Sequence, residues 1–248
     1  MRLRAPYLPE DLEHLDSHLL DQAYAVREMG WIAAGVTSKH VIGMRHDVDN
    51  VIEPAVKFAE WEAARGYKAT YFILHTAPYW QDKPLLRRSL DRIAEFGHEI
   101  GIHNNAIAES LRTGLDPRGI LAKAVTELRD YGYTVNGTVA HGDPLCRDAN
   151  GEVRYVNDEM FAEVERPTVG RRGRLIGRYT TANVSLREFD LTYDANWLGR
   201  AAYLSDSGGI WSTDFDDVAA AFPFDGQLHV LIHPDWWPQA FAAQEIAS

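Results

Sequence analysis

The 248-residue sequence is poor in cysteine and in positive charge, and both shortages exclude classes of protein. Its single cysteine, Cys146, cannot form a disulfide within the chain, so the fold does not depend on an oxidising compartment. We interpret Cys146 as a packed thiol rather than a nucleophile. The 25 Lys and Arg residues are outnumbered by 36 Asp and Glu, and the formal net charge of −11 argues against nucleic-acid binding. The basic stretch of Arg171, Arg172 and Arg174 is too short to reverse that balance.

The sequence also lacks long apolar runs and interdomain linkers. Its first residues, MRLRAPYLPEDLEHLDSHLL, are charged and contain no run resembling a signal peptide or a membrane span. We therefore expect a cytoplasmic protein without a membrane span. No internal repeat, low-complexity tract or Pro/Gly/Ser-rich linker divides the chain. This predicts a single domain over residues 1–248, with an N-terminal helical cover over residues 1–36.

Short apolar runs alternate with amphipathic helical stretches along the rest of the chain. Helical spacing predicts helices over residues 54–65, 84–96 and 117–131, with Asp116 as the cap of the third. Strands are predicted over residues 41–44, 70–74, 99–102, 137–140, 201–204 and 229–232. This alternation is typical of an α/β barrel of parallel strands, incomplete or distorted. The segment 145–178, rich in Arg, Gly, Asp and Asn, predicts long loops.

Most of these predicted strands run directly into a polar residue that can bind a metal ion or transfer a proton. The carboxyl ends of parallel strands meet at one face of an α/β fold, where active sites are assembled. For any one residue, the alternative is that a polar side chain simply marks the end of a strand. The whole set favours a site and comprises Arg45, His46, Asp47, Asp49, His75, His103, His141, Asp206 and His233.

The Asp47-Val48-Asp49 triplet places two carboxylates at the end of one strand. Alternate residues of an extended chain point the same way, so both carboxylates can reach one site. One carboxylate could bind a divalent ion beside imidazole, while the other takes a proton from a bound water. The alternative is an Asp pair that caps the following turn.

Five motifs in order along the chain resemble those of the polysaccharide deacetylases, the family-four carbohydrate esterases and their relatives. They are MRHDVDN, KATYFIL, GHEIGIHNN, AHGDP and LHVLIHP, between Val41 and Trp237. The segment from Gly97 to His103 is the most specific of them. The resemblance implies a distorted (β/α) barrel of about seven parallel strands with an N-terminal helical segment. It also implies that a divalent metal ion, zinc or a similar ion, serves the removal of acetyl groups from glycans, whereas related branches act on other amides.

The resemblance also implies roles for individual residues. Asp47 resembles the catalytic base, Asp49 the carboxylate ligand of the metal and His103 the first histidine ligand. His233 resembles the general acid, and Asp206 with Trp211 resembles an Asp/Trp pair that orients this histidine and lines the acyl pocket. His98 resembles a structural histidine of the family.

The sequence departs from the family at the second histidine ligand. Four residues after His103, where the family has that ligand, this chain has Ile107. His141 or His75 could replace it, and we favour His141. Arg45 could supply the positive charge that positions the base, or could be a salt-bridge partner only. Among the aromatic residues near strand ends, we select Trp211 and Trp236, together with Arg45, for substrate binding.

We therefore expect a metal-dependent hydrolase that deacetylates an N-acetylated sugar or a polysaccharide precursor. A role in surface-glycan biosynthesis is implied only by resemblance to cytoplasmic family members with an R-H-D-V-D run. One alternative is a catalytically inactive carbohydrate-binding relative, which Ile107 favours. Another is a hydrolase of a non-glycan amide. The sequence does not indicate an oligomeric state.

Overall fold

The computed structural model describes residues 4–35, 40–145, 156–161, 165–169, 175–180, 184–200, 202–213, 217–218 and 227–246. The interpretations of Cys146 and of the basic stretch at 171–174 lie outside these residues. The chain forms two compact units, one of Met1–Ile73, Ala77–Ile100 and Leu198–Ser248, the other of Leu74–Thr76 and Gly101–Trp197. The single domain expected from the sequence stays a prediction.

The described part of the chain contains ten strands and seven α-helices. The strands are β1 Ala25–Arg27, β2 Val41–Val48, β3 Thr70–Leu74, β4 Glu99–Asn104, β5 Gly137–Ala140, β6 Glu165–Val169, β7 Leu175–Thr180, β8 Tyr193–Asp194, β9 Ala202–Ser205 and β10 Gln227–Ile232. The helices are α1 Pro9–His18, α2 Met29–Ala33, α3 Glu53–Ala63, α4 Pro78–Gln81, α5 Lys83–Glu95, α6 Ala106–Thr113 and α7 Pro117–Asp130. All seven α-helices precede β5. None of the helices in the described ranges has the length and apolar character needed to cross a membrane.

In the first unit, β2 is the central strand. The strand order is β9-β10-β2-β3, all parallel, and β1 pairs in parallel with the beginning of β2. β4 begins in this unit and continues into the second, where β5 and β8 follow it in parallel order. These parallel strands, with helices between them and α1 before them, confirm the expected fold class of a distorted (β/α) barrel with an N-terminal helical segment.

Strand β2 extends further than the sequence predicted. We expected it to end at Met44, but it continues to Val48, and all eight of its residues are buried. The prediction stopped at the first charged residue, whereas the charged side chains of this strand have hydrogen-bond partners on both of its faces. On one face the guanidinium of Arg45 donates to Asp47, and on the other the imidazole of His46 bonds to Glu62 of α3.

The face of β2 opposite Asp47 rests on a buried polar cluster. The Glu62 carboxylate lies 2.7 Å from Nε2 of His46 and accepts a hydrogen bond of 2.6 Å from the hydroxyl of Tyr71. Nδ1 of His98 accepts the backbone N–H of Ala69 at 3.2 Å and lies 3.7 Å from Glu62. His98 thus has its ring-nitrogen contacts within the protein, and the structural role implied by the resemblance stays a prediction.

Two segments differ from the sequence prediction. The N-terminal cover is not wholly helical, because β1 lies between α1 and α2. This strand was not predicted, since three residues are too few to show the alternation of apolar and polar residues that marks a strand. The segment predicted as long loops contains β6 and β7, which pair antiparallel. Their Arg, Gly and Pro content is typical of loops. They are strands because their backbones pair with each other, and amino-acid composition does not reveal such pairing. The helix α7 begins as predicted, where Asp116 accepts the N–H of Arg118.

Candidate active site

Strand β2 delivers a carboxylate and a guanidinium from the same face. The side chain of Asp47 is buried, and its Oδ2 lies 3.1 Å from Nη2 of Arg45, two residues earlier. Alternate residues of a strand share a face, which explains why this pair forms. Arg45 therefore supplies positive charge beside Asp47.

The backbone on each side of Asp49 is held in place by hydrogen bonds from distant residues. The carboxylate of Asp235 accepts the backbone and side-chain N–H groups of Asn50 at 3.0 and 2.6 Å, and the N–H of Val51 at 3.1 Å. On the other side, the hydroxyl of Tyr79 donates to the carbonyl of Val48 at 2.6 Å. Burial raises the pKa of Asp235, and the nearby charge of Asp49 adds to the rise. Sequence reasoning missed Asp235, although it stands two residues after His233.

His233 and Asp206 form a hydrogen-bonded pair between the ends of β10 and β9. Asp206 is fully buried, and its Oδ1 lies 2.7 Å from Nδ1 of His233 and 2.9 Å from the backbone nitrogen of the same residue. Burial alone lowers the pKa of His233. The hydrogen bond and charge of Asp206, followed by the charges of Asp47 and Asp49, outweigh burial and raise it to about 9. The imidazole is therefore protonated at neutral pH, with Nδ1 donating to Asp206 and Nε2 carrying a second proton.

The tryptophan that bonds to Asp206 is Trp237, to which the sequence analysis gave no role. Trp237 donates its Nε1–H to Oδ2 of Asp206 at 2.8 Å. The pairing of Asp206 with Trp211 that the resemblance implies stays a prediction. Trp211 is buried, with its ring centre 6.2 Å from that of Trp237. The turn Pro234–Trp236 brings the indole of Trp237 back to the buried carboxylate of Asp206. Substrate binding by Trp211 and the half-buried Trp236 stays a prediction.

In the second unit, His103 and His141 face each other. Nδ1 of the buried His103 lies 3.0 Å from the carbonyl of Val139, to which it donates, so its unprotonated nitrogen is Nε2. Nδ1 of His141 lies 3.2 Å from this Nε2. Two imidazole nitrogens bound to one tetrahedral zinc ion at about 2.0–2.1 Å are themselves roughly 3.3 Å apart. The two imidazoles therefore fit a shared metal ion.

His75 is less suited than His141 to bind a metal ion, and the side chain of Ile107 has no ligand atom. Nε2 of His75 accepts the backbone N–H of Asn105 at 3.0 Å, which occupies one of its two nitrogens. Burial, reinforced by His103 and His141, lowers the pKa of His75 to about 3. Ile107 is fully buried in the first turn of α6. The geometry thus favours His141 over His75 as the partner of His103.

The two asparagines after His103 are engaged within the protein. Oδ1 of Asn104 accepts the N–H of Ala106 at 2.9 Å, at the start of α6. Nδ2 of Asn105 donates to the hydroxyl of Thr76 and to Asp143, at 2.9 and 3.0 Å. Oδ1 of Asn105 accepts from Nδ2 of Asn157 at 2.9 Å, so both amide oxygens already accept hydrogen bonds within the protein.

Comparisons with known proteins add little beyond this geometry. No family model and no curated protein sequence match the chain. Among solved structures, a family 4 carbohydrate esterase from Bacillus anthracis is similar, with 14% identity and a TM-score of 0.42. The matched region covers 94% of this chain and 83% of that one. The activity of this chain is therefore inferred from its own site residues.

Proposed function

We propose that this chain is a metal-dependent hydrolase that removes acetyl groups from an N-acetylated sugar or a polysaccharide precursor. The observation that carries the proposal is the pair of His233 and Asp206. Amide hydrolysis needs an acid that protonates the departing nitrogen, and a protonated imidazole held by a buried carboxylate meets that need.

Asp49, His103 and His141 are the proposed ligands of a divalent metal ion, with zinc as the proposed identity. The spacing of the two imidazoles and the tautomer of His103 support this choice. When bound, such an ion lowers the pKa of a coordinated water and polarises the acetyl carbonyl. The Nδ1–H of His103, held by Val139, keeps Nε2 unprotonated, as ligation requires.

Asp47 is the proposed base. Its carboxylate takes the proton of the attacking water, and the Arg45 guanidinium, 3.1 Å away, fixes its orientation. His233 is the proposed acid and gives its Nε2 proton to the amine nitrogen as the C–N bond breaks. Asp206 holds the ring in position and stabilises its positive charge. Acetate and a free amine are the products.

The aromatic residues near the strand ends support the proposal that the substrate is a carbohydrate. Trp211 and Trp236 are proposed substrate contacts because indole rings stack on sugar faces. Arg45, beside Asp47, is the third proposed contact, since its guanidinium can donate hydrogen bonds. A role in surface-glycan biosynthesis remains a proposal drawn from the resemblance, and the cytoplasmic location expected from the sequence remains a proposal as well. A catalytically inactive relative is less well supported, since candidates for base, acid and two imidazole ligands are all present.

The proposal is tested by measuring acetate release from a panel of acetamido sugars and, separately, ring opening of a panel of small cyclic amides. We expect turnover of an acetamido sugar that chelator abolishes and zinc restores. Asp47→Asn should lose at least roughly a hundredfold in kcat, since general-base catalysis contributes about 10²–10⁴-fold. Asp130→Asn, at an exposed position, is the matched control. Turnover of cyclic amides alone would overturn the carbohydrate assignment, and full activity in Asp47→Asn would overturn the base.

A further inference from the structure

Asn157 is a buried asparagine that uses its whole side chain within the second unit. It lies in the 3₁₀ helix Val156–Phe161 and is 1% exposed. Its Oδ1 accepts the N–H groups of Ile107 and Ala108 at 3.1 and 3.2 Å. Its Nδ2 donates to Oδ1 of Asn105 and to the carbonyl of His141, each at 2.9 Å.

The acceptor side of Asn157 binds the first turn of α6. The N–H groups at the start of a helix have no partner within the helix, and a side-chain oxygen from elsewhere can satisfy them. Ile107 is also the position where the resemblance places a second histidine ligand. At this position the main chain is bound by Asn157, and the side chain packs in the core.

The donor side of Asn157 binds the loop that carries the replacement histidine. The His141 carbonyl accepts from Asn157, while the backbone N–H of His141 donates to the carbonyl of Asn104 at 2.9 Å. The main chain of His141 is thus held on both sides. This restraint fixes where its imidazole meets that of His103, at the 3.2 Å separation that suits a shared ion.

The geometry points to Asn157 as a positioning residue that holds His141 in the place of the second histidine ligand. This inference rests on the proposed metal site. Second-shell partners of metal ligands typically change metal affinity by about 10–100-fold when they are replaced. A residue that only caps α6 would affect folding without a specific effect through His141.

Asn157→Asp separates the two roles, because aspartate keeps an oxygen for the N–H groups of α6 but loses both donors. The measurement is zinc affinity of the full chain by competition with a chromophoric chelator, together with the thermal unfolding midpoint. We expect affinity to fall roughly 10–100-fold in the native background and less than about threefold in a His141→Ala background. Asn136→Asp, at an exposed position of the same unit, should match the native chain.

The outcomes separate this inference from the proposed function. A native chain that binds no zinc would overturn the metal site, and the inference with it. Zinc binding that depends on His141 but is unchanged in Asn157→Asp would overturn the inference alone. Equal losses in both backgrounds would show that Asn157 does not act through His141. Asn157→Ala, measured in the same cycle, replaces Asn157→Asp if the aspartate variant does not fold.

Discussion

Asp235 accepts the backbone N–H of Asn50 at 3.0 Å, and this contact joins the loop that carries Asp49 to the loop that carries His233. Asn50 directly follows Asp49, and Asp235 lies two residues after His233. The hydrogen bond therefore restrains a proposed metal ligand and the proposed acid together. Such restraint matters because catalytic groups lose effectiveness when displaced by about an ångström.

Replacing Asp235 should reduce activity more than stability. Asp235→Ala removes the acceptor of three N–H groups in the loop after Asp49, so this loop loses its fixed position. We expect kcat/KM for acetate release to fall about tenfold or more, and the free energy of unfolding to fall by about 1–2 kcal/mol. Steady-state kinetics and urea denaturation measure the two effects. Asp91→Ala, exposed on α5, is the control, and native kinetics in Asp235→Ala would contradict the restraint.

Activity should fall at high pH as His233 loses its proton. The folded pKa of about 9 lies above the ordinary value of 6.5, so the stability from the pair with Asp206 is fully present below pH 6.5. This contribution to stability disappears as pH rises through about 9.

Asp206→Asn removes the charge that raises the pKa of His233, while burial, which lowers this pKa, remains. The alkaline limb of the rate profile should therefore move to lower pH in this variant. An unshifted limb in this variant would assign the titration to another group.

Metal content should depend on His103 and His141 but not on His75. Nε2 of His75 already accepts an N–H, whereas the other two imidazoles face each other. Elemental analysis of protein purified without chelator should find near-stoichiometric metal in the native chain and in His75→Ala. His103→Ala and His141→Ala should each lose most of the metal during purification, because the remaining ligands bind the ion more weakly. Retention in His141→Ala with loss in His75→Ala would reverse the choice of ligand.

Glu62 should be important for folding and have little direct effect on chemistry. Burial raises the pKa of its carboxyl, but the charge and hydrogen bond of His46 outweigh burial and hold the pKa below its usual range. Its contribution to stability is therefore present above the ordinary pKa of 4.5 and declines as pH falls through the lowered value. Removing one partner of a buried pair costs about 3–5 kcal/mol, so Glu62→Ala should lose this much at pH 7 in urea denaturation. Glu60→Ala, exposed on the same helix, should lose almost nothing.

The sequence was a good guide wherever local pattern decides structure. Strands β3 and β5 have the predicted bounds, and Asp116 caps α7, because apolar periodicity and capping act over a few residues. The same locality explains why polar residues at strand ends could be selected as site candidates. Short elements such as β1 were missed, because three residues carry too little pattern.

The amino-acid sequence by itself determined the alternation of strands and helices and the supply of histidines and carboxylates at the strand ends. Only the tertiary structure decided which groups meet. Trp237 binds Asp206, Asp235 clamps the loop after Asp49, and Asn157 links α6 to His141. These contacts join residues tens of positions apart, and they depend on strand register and loop path. A hydrogen bond is sensitive to a fraction of an ångström, and sequence spacing does not determine geometry at that scale.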